Sequence, residues 1–439
     1  MVFIVIKCFC LLGFECRRNR LSKCYGVSFK LQFRGIQMSK KIMFIDKNKV
    51  VNYAGGVEKV ICSFANEFAK RNYVVYFVCM DTEEGMPFFE LNKNVEFINL
   101  CYEYSNYNFV NTKYQLKKIQ KEIMRGIFGK KLIFFGKKFK DPKECYFYDE
   151  FSTRLKACIN DKRPDILLPT DVESTEVVIN ICEKLQEKPA IISMCHSDPN
   201  FLTYTQKEIQ ALKKCDAVQV LLPVFADVLG KLGIQNTIVI PNALKLMKVA
   251  SNSNEFSTKR IINVARIDGG GKQQDVLIKA FSMVEKDFPE WTLSFWGDIA
   301  NKRYKKKLDK LVKELSLTNK VSFYGTTSNI FKEYETSDIF AFPSKHEGFG
   351  IAMVEAMSMG LPVVAFKSCS GPANIINDGV DGFLCDDGIE NFSNKLRMLM
   401  SNGDLRKNLG LNAQRKALKY SDDIVWEKWE FYINKYIKN

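Results

Sequence analysis

Residues 338–366, DIFAFPSKHEGFGIAMVEAMSMGLPVVAF, contain a strand, a glycine-rich turn, a helix and a second strand in one continuous stretch. The runs DIFAFPS and LPVVAF are apolar at successive positions, which is typical of strands buried on both faces of a parallel sheet. The turn HEGFG and the helical segment IAMVEAMSM separate them. A strand, a helix and a further strand in this order form the repeating unit of an α/β fold.

The same alternation extends in both directions from this stretch. Apolar runs that predict strands are KIMFID, YVVYFVCMD, VEFINL, DILLPT, AIISMCH, AVQVLLP and TIVIPN, and, after residue 260, RIINVARI, WTLSFWGD and KVSFYG. Segments such as NYAGGVEKVICSFANEFAKRN, QDVLIKAFSMVEKDF and NKRYKKKLDKLVKELSL separate them and have helical spacing of apolar residues. We therefore expect two doubly wound α/β domains, 38–243 and 244–419, followed by a terminal helix within 420–439.

The composition is sufficient for a large hydrophobic core, but it excludes few classes of function. The chain has 439 residues, of which 46% are hydrophobic, and it has no apolar run approaching the length that spans a bilayer. Its net charge of +15 attracts phosphates, anionic lipid or nucleic acid, and it can equally reflect a lysine-rich genome. We expect a cytoplasmic protein, either free or peripheral at the inner face of the cell membrane.

The cysteines and histidines do not form a recognisable metal site. The fourteen cysteines are dispersed without a C-x-x-C pair, and His196 and His346 are the two histidines. Zinc sites need such ligands clustered at short spacings. The sequence therefore predicts reduced, mostly buried thiols and no bound metal.

Two segments do not follow the alternation of predicted strands and helices. Residues 1–37 place the apolar run before the positive charges, the reverse of a secretory signal, so we expect an extension without a role in the fold, or else a short membrane-touching arm. Residues 113–143 contain eleven Lys or Arg and two acids among apolar residues. This segment is an insertion with a solvated surface, a membrane-contacting surface or, less in keeping with the rest of the sequence, a nucleic-acid groove.

Glu347 and Glu355 flank the start of the helix in the opening stretch. The backbone N–H groups around Phe349–Ala352 are donors at a helix N-terminus, where a diphosphate binds readily, and Gly348 and Gly350 allow close approach. Glu355 can accept hydrogen bonds from a ribose diol, and Glu347 from a hydroxylated group beyond the diphosphate. The alternative is one capping and one dipole-stabilising carboxylate without a ligand.

Three further constellations follow strands. ARIDGGGKQQD lacks the Gly and Ser/Thr positions of a Walker A motif, so it is not a P-loop. Its Arg266 and Lys272 suit a pyrophosphate leaving group at the carboxyl end of a strand, unless they are two solvated cations. Gly55 and Gly56 lie between a strand and a helix, which is a weak dinucleotide signal. His196 follows an apolar run and is either functional or a satisfied structural residue.

Taken together, these motifs resemble the retaining glycosyltransferases of family 4. The resemblance rests on the E-x7-E spacing in PSKHEGFGIAMVEAMSMGLPVVA and on GGVE, VIPNAL, VARIDGGGKQQDVLIKAF and NDGVDGFL, and it covers nearly everything from Met38 onward. It implies a GT-B architecture, in which two Rossmann-like domains face each other across a cleft and the last helix crosses back to the first domain. The loop GGGKQQ departs from the commoner Pro-x-Lys-Gly run.

The resemblance also implies roles for individual residues. Arg266 and Lys272 would grip the donor diphosphate, Glu355 the ribose and Glu347 the sugar hydroxyls, while His196 would lie near the reacting sugar or acceptor. The expected catalytic residues are Arg266, Lys272, Glu347 and His196, and the expected donor-binding residues are Gly55, Gly56, Gly348, Phe349, Gly350, Ile351 and Glu355.

The expected activity is transfer of a hexose or N-acetylhexosamine from a UDP- or GDP-sugar, with retention and without a metal or other cofactor. The acceptor would be a lipid-linked or growing surface glycan, as in polysaccharide or lipopolysaccharide assembly, and nucleic acid would not be a partner. The alternatives are a nucleotide-sugar epimerase of the same architecture and a non-catalytic sugar-nucleotide-binding subunit. A dehydrogenase is excluded because the G-x-G-x-x-G fingerprint is missing.

Overall fold

The computed structural model describes residues 39–53, 55–100, 142–246 and 258–437, together with 115–116, 118–120, 122–123, 133–134 and 137–138. The predicted extension 1–37 and most of the basic insertion 113–143 therefore lie outside the described residues. Within the insertion, the strands Ile133–Phe134 and Lys137–Lys138 pair antiparallel, and a helix begins at Pro142.

In the described residues, the N-terminal domain contains a seven-stranded parallel sheet with the order β3-β2-β1-β6-β7-β8-β9. The strands are β1 Lys41–Asp46, β2 Val74–Cys79, β3 Val95–Asn99, β4 Ile133–Phe134, β5 Lys137–Lys138, β6 Ile166–Pro169, β7 Ala190–Cys195, β8 Ala217–Val220 and β9 Thr237–Val239. The helices are α1 Gly56–Lys70, α2 Pro142–Lys162, α3 Val172–Cys182, α4 Gln206–Lys214 and α5 Pro223–Lys231.

The C-terminal domain, as far as it is described, contains a six-stranded parallel sheet with the order β12-β11-β10-β13-β14-β15. The strands are β10 Arg260–Val264, β11 Thr292–Trp296, β12 Val321–Gly325, β13 Ile339–Phe342, β14 Val363–Phe366 and β15 Phe383–Cys385. The helices are α6 Gln274–Ser282, α7 Lys302–Glu314, α8 Ile330–Glu335, α9 Ile351–Ser358, α10 Ser370–Ile375, α11 Ile389–Ser401, α12 Gly403–Ala417 and α13 Asp422–Tyr436.

Both sheets reverse their strand order once, and these reversals position the functional loops. In the first sheet the reversal lies between β1 and β6, and in the second between β10 and β13. In open α/β sheets, ligands bind in the crevice beyond the carboxyl ends of the strands at such a point. The glycine loop after β1 and the Arg266 and Glu347 loops after β10 and β13 therefore lie where binding is expected.

The helix α13 returns to the N-terminal domain, as the sequence predicts. Its Trp426 and Trp429 pack edge-to-face on Phe64 of α1, with ring centroids 4.7 and 5.2 Å away. Trp429 is fully buried and belongs to the same apolar cluster as the strand residues of the first sheet. Aromatic pairs of this geometry add to the stabilisation from burial alone.

The two segments of the chain that connect the domains are hydrogen-bonded to each other. The Leu244 N–H donates to the Tyr420 carbonyl oxygen at 3.0 Å, and the Asp422 N–H donates to the Leu244 carbonyl oxygen at 3.0 Å. Leu244 follows the last strand of the first domain, and Asp422 begins α13. This short parallel bridge holds the departing and returning segments side by side.

Among the described residues, none of the helices combines the length and apolar character of a membrane-spanning segment. The cysteines in the described part of the chain are free, and most of them are buried, as predicted: Cys62, Cys79, Cys182, Cys195, Cys215, Cys369 and Cys385. Cys145 and Cys158 are partly exposed.

Candidate functional site

A cleft of about 910 Å³ lies between the two domains and is lined by both. The N-terminal domain contributes the start of α1 and His196, and the C-terminal domain contributes the loops after its strands and the start of α9. The structure brings all the site residues expected from the sequence to this cleft: Gly55, Gly56, His196, Arg266, Lys272, Glu347, Gly348, Phe349, Gly350, Ile351 and Glu355.

The turn that precedes α9 depends on two glycines. Gly350 has φ +86° and is the N-cap residue of α9, a backbone conformation that favours glycine. A Cβ atom on Gly348 would lie 2.5 Å from the His196 carbonyl oxygen. The turn thus approaches the N-terminal domain so closely that only glycine fits at position 348.

The N-terminus of α9 points donors toward the cleft. The N–H groups of Met353 and Val354 donate to the Gly350 carbonyl oxygen at 3.0 and 3.1 Å. The N–H groups of Ile351 and Ala352 precede these bonds, and both residues line the cleft. This arrangement, with the positive end of the helix dipole, suits an anion such as a phosphate group.

Lys272 and Glu347 form an ion pair that the sequence motifs did not predict. Both side chains are largely buried. Their loops are joined by a hydrogen bond from the Lys345 N–H to the Gly271 carbonyl oxygen at 2.7 Å. The GGGK loop therefore pairs with the turn that carries Glu347, which fixes the lysine beside the carboxylate.

Arg266 follows β10 and has two side-chain partners. Its Nε donates to Asp268 Oδ2 at 3.0 Å, and its Nη1 donates to the Tyr53 hydroxyl of the N-terminal domain at 2.9 Å. Gly297 at the end of β11 has φ +137°, and a Cβ atom there would lie 2.3 Å from the Ala265 carbonyl oxygen. The close approach of two strand ends thus sets the position of the arginine.

Glu355 lies in α9 and is 7% exposed. Its Oε1 accepts a hydrogen bond from Lys59 Nζ of α1 at 3.2 Å, and its Oε2 lies 3.4 Å from the hydroxyl of the fully buried Tyr334. Burial, followed by the charge of Glu355, raises the pKa of Tyr334 well above its ordinary value, so this hydroxyl remains a donor. The carboxylate is therefore held from two sides at the wall of the cleft.

His196 follows β7, and its ring nitrogens Nδ1 and Nε2 have no hydrogen-bond partner among the described residues. Burial lowers the pKa of His196 to about 4, so the ring is neutral at pH 7. A neutral imidazole has one donor and one acceptor. Both nitrogens are buried, and His196 lines the cleft, so the ring has one unused donor and one unused acceptor beside it.

The two glycines at the start of α1 differ in their surroundings. A Cβ atom on Gly55 would lie 1.8 Å from Glu58 Oε2, whereas one on Gly56 would have no atom of the described residues within 4 Å. Glu58 is buried, and this burial raises its pKa, while the charge of Arg266 acts in the opposite direction. Glu58, the acid of the GGVE motif, was not among the expected site residues.

A second buried acid lies at the carboxyl end of β1. Asp46 Oδ1 accepts hydrogen bonds from the backbone N–H and side-chain Nδ2 of Asn48 at 2.8 and 2.9 Å, but Oδ2 has no partner among the described residues. Burial, followed by the charge of Asp171 at the N-cap of α3, raises the pKa of Asp46 to about 7. The sequence signal was an acid directly after each of the runs KIMFI and DILLPT.

An aromatic pair on the C-terminal side was not predicted from the sequence. Trp296 stacks on Tyr324 with ring centroids 4.7 Å apart, at the ends of the adjacent strands β11 and β12. The buried Nε1 of Trp296 has no partner in the described part of the chain, and Trp296 lines the cleft together with Gly325–Ser328. Aromatic residues at the ends of WTLSFW and KVSFY were the available signal.

The described residues contain no group of three or more His, Cys, Asp and Glu side chains placed to hold a metal ion. His346, to which the sequence analysis gave no role, packs its ring on that of Phe201 with centroids 3.9 Å apart.

Comparison with known proteins relates the chain to glycosyltransferases. Residues 249–416, which contain the Arg266, Lys272 and Glu347 loops and α9, match the family model described as glycosyl transferases group 1. An uncharacterised glycosyltransferase of Haemophilus influenzae is 25% identical over 401 residues, covering 89% of this chain and 99% of the relative. The poly(ribitol-phosphate) alpha-N-acetylglucosaminyltransferase of Staphylococcus aureus is 26% identical over 390 residues, covering 81% of this chain and 75% of the relative.

The fold is shared with solved structures as well. The structure of Anabaena HepE in complex with UDP and glucose superposes with a TM-score of 0.64 at 17% identity, covering 90% of this chain and all of HepE. This likeness, with the two parallel sheets and the returning helix, confirms the predicted GT-B fold. The chain is thus a GT-B protein whose relatives are glycosyltransferases.

Proposed function

We propose that this chain is a retaining glycosyltransferase of family 4. It transfers a hexose or N-acetylhexosamine from a nucleotide diphosphate sugar, with UDP or GDP as the nucleotide, and forms an α-linkage. The observation that carries the proposal is the convergence of Arg266, Lys272, Glu355 and the N-terminus of α9 on one wall of the cleft.

The reaction requires stabilisation of a charge that develops on the departing phosphate. As the bond from the sugar to the β-phosphate oxygen breaks, negative charge accumulates on that oxygen, and the sugar gains oxocarbenium character. Arg266, Lys272 and the N–H groups of Ile351 and Ala352 are fixed beside the place for this charge before the reaction begins. These groups supply the stabilisation without a divalent ion, so EDTA should leave the rate unchanged.

The other groups position the sugar and its acceptor. Glu355 binds the ribose hydroxyls of the donor, and Glu347, oriented by Lys272, binds the hydroxyls of the transferred sugar. The neutral His196 hydrogen-bonds the reacting sugar or the acceptor hydroxyl from the opposite wall. The departing phosphate takes the proton of the attacking hydroxyl, which places the new bond on the face that the phosphate leaves.

For the acceptor, we propose a lipid-linked or growing surface glycan at the inner face of the cell membrane. The basic segment 113–143 belongs to the N-terminal domain. Among its described residues, the side chains of Leu116, Ile119 and Ile123 are more than half exposed. Exposed apolar residues among lysines are typical of surfaces that contact anionic membranes.

The donor is tested by thermal-shift measurements with UDP-, GDP- and ADP-sugars, followed by transfer assays with the sugars that stabilise the protein. We expect one nucleotide to raise the melting temperature and its sugar to be transferred with retention, as read from the anomeric coupling of the product by NMR. Stabilisation without transfer to any lipid-linked or oligosaccharide acceptor would favour a non-catalytic binding subunit. An inverted product would contradict the retaining mechanism.

The membrane proposal is tested by flotation with anionic liposomes. Wild-type protein should float, and the variant Lys130/Lys131/Lys137/Lys138→Glu should remain at the bottom, because reversing four charges removes the attraction to anionic lipid. A matched quadruple variant on the exposed face of α7, Lys302/Lys306/Lys310/Lys313→Glu, should float like the wild type. Equal flotation of the first variant and the wild type would remove the membrane contact.

A further inference from the structure

Two polar contacts cross the cleft beside α1, and each ends on a residue expected to bind the donor. The Tyr53 hydroxyl accepts a hydrogen bond from Arg266 Nη1 at 2.9 Å, and Lys59 Nζ donates to Glu355 Oε1 at 3.2 Å. Tyr53 and Lys59 belong to the N-terminal domain, whereas Arg266 and Glu355 belong to the C-terminal domain. Neither N-terminal residue was singled out by the sequence motifs.

Tyr53 follows a firmly anchored stretch of backbone. The N–H groups of Val50 and Val51 both donate to Asp81 Oδ2 at 2.9 Å, and Asp81 is 1% exposed. Val51 also forms an isolated β-bridge with Pro87. The tyrosine is therefore presented to the cleft by a segment that the first domain holds in place.

Lys59 is positioned by α1. Its N–H donates to the Gly55 carbonyl oxygen at 3.1 Å in the first turn, and the same helix is packed into the core through Phe64. Its ammonium is the partner of Glu355 in an ion pair, and among the described residues no other cation forms an ion pair with this carboxylate. A carboxylate that is 7% exposed is costly to keep charged without such a partner.

We propose that Tyr53 and Lys59 are positioning residues of the donor site, supplied by the N-terminal domain. Lys59 neutralises Glu355 and orients its oxygens toward the ribose, and Tyr53 orients the Arg266 guanidinium toward the diphosphate. Because both act across the cleft, donor recognition and contact between the domains strengthen each other. This assignment rests on the proposed function, since it presupposes that a nucleotide sugar occupies the cleft.

The kinetic test uses Lys59→Met, Lys59→Arg and Tyr53→Phe. Lys59→Met should raise the donor KM about fivefold with kcat nearly unchanged, which is the scale of a half-exposed ion pair. Lys59→Arg should restore the KM. Tyr53→Phe should lower kcat about fivefold, because a less constrained Arg266 stabilises the transition state less well. Lys70→Met, which alters a lysine of the same helix that pairs with Glu67, should behave like the wild type.

A double-mutant cycle separates a role in the donor site from a purely structural contact. Lys59→Met and Glu355→Gln are made singly and together, and two quantities are measured: the dissociation constant of UDP by calorimetry and, without ligand, the midpoint of urea unfolding. We expect non-additive effects on both, because the lysine acts through the carboxylate. Additive effects on UDP binding overturn the assignment even if the unfolding midpoints are coupled.

The outcomes also separate this inference from the proposed function. If the wild type binds none of UDP, GDP and ADP and transfers no sugar, the proposed function fails and the assignment falls with it. If the wild type binds and transfers while Lys59→Met and Tyr53→Phe match it in KM and kcat, only the assignment is wrong.

Discussion

The two walls of the cleft hold their polar groups in different states. On the C-terminal wall, Arg266 and Lys272 are charged and already paired with Asp268 and Glu347. On the N-terminal wall, His196 is neutral and its ring nitrogens have no partner among the described residues. The first arrangement holds cations in fixed positions, and the second leaves a neutral ring with one unused donor and one unused acceptor. Under the proposed function, the first arrangement suits the donor diphosphate and the second suits a hydroxyl group of the reacting sugar or the acceptor.

The largest expected effect concerns stability on the N-terminal side. The pKa of Asp46 in the folded state, about 7, exceeds its ordinary 3.8, so the folded state binds the proton more tightly than the unfolded state. Stability is then lost as the pH rises from about 4 to 7, by up to about 4 kcal/mol for a shift of this size. Asp46→Asn should stabilise the protein at pH 8 by a few kcal/mol and little at pH 4.

Urea unfolding of wild type and Asp46→Asn at the two pH values measures this. The asparagine retains the oxygen that accepts from Asn48, so the comparison isolates the charge. An equal change in unfolding free energy at pH 4 and pH 8 would show that Asp46 keeps its ordinary pKa in the folded state and is charged at neutral pH, like the groups of the C-terminal wall.

The next effect concerns the cations of the C-terminal wall. Arg266→Ala and Lys272→Ala should each lower kcat about 10²-fold, because in the proposed reaction each removes a preplaced donor from the departing phosphate. Initial rates of transfer at saturating donor measure this, with Lys307→Ala on the exposed face of α7 as the control. Wild-type kcat in both variants would refute their place beside the leaving group.

Glu355→Gln should act on binding rather than on turnover. The proposed charged hydrogen bond to the ribose would contribute about 1.5–3 kcal/mol, so we expect the donor KM to rise about tenfold to a hundredfold with a smaller change in kcat. Saturation kinetics with the donor measure this, and Glu314→Gln in α7 is a matched control. If kcat falls while KM is unchanged, Glu355 contacts the reacting centre instead of the ribose.

His196 is expected to give the smallest effect. His196→Ala should lower kcat about tenfold, on the scale of one hydrogen bond between neutral groups. Because its pKa is about 4, the imidazole becomes charged only as the pH falls toward that value, so the wild-type and variant rates should run parallel from pH 6 to 8. A step in the wild-type profile between pH 6 and 7 that the variant lacks would show that His196 titrates there and is partly charged near neutral pH.

Much of the fold could be predicted because local patterns determine it. KIMFID coincides with β1, Lys41–Asp46, since a charged residue bounds each end of a continuous apolar run. β15, Phe383–Cys385, was missed, because three residues after a glycine turn give no periodicity, and only its pairing with β14 makes it a strand.

The site residues, too, could be predicted where the signal is local and not where it depends on distant parts of the chain. Glu347 and Glu355 could be located from their spacing around one helix N-terminus, which is a local feature. Lys59 could not, because its partner Glu355 lies almost 300 positions further along the chain and the two meet only when the domains face each other. The two ring nitrogens of His196, which have no partner in the described part of the chain, could not be predicted either, since burial is a property of the completed fold.

The returning helix α13 has a consequence for how the protein is made. Because Trp426 and Trp429 cover the aromatic face of α1, the first domain emerges from the ribosome with Phe64 uncovered and stays so while the second domain is synthesised. The domain that is translated first therefore completes its core last. A nascent chain of this protein has to be shielded from aggregation for longer than its domain order alone would require.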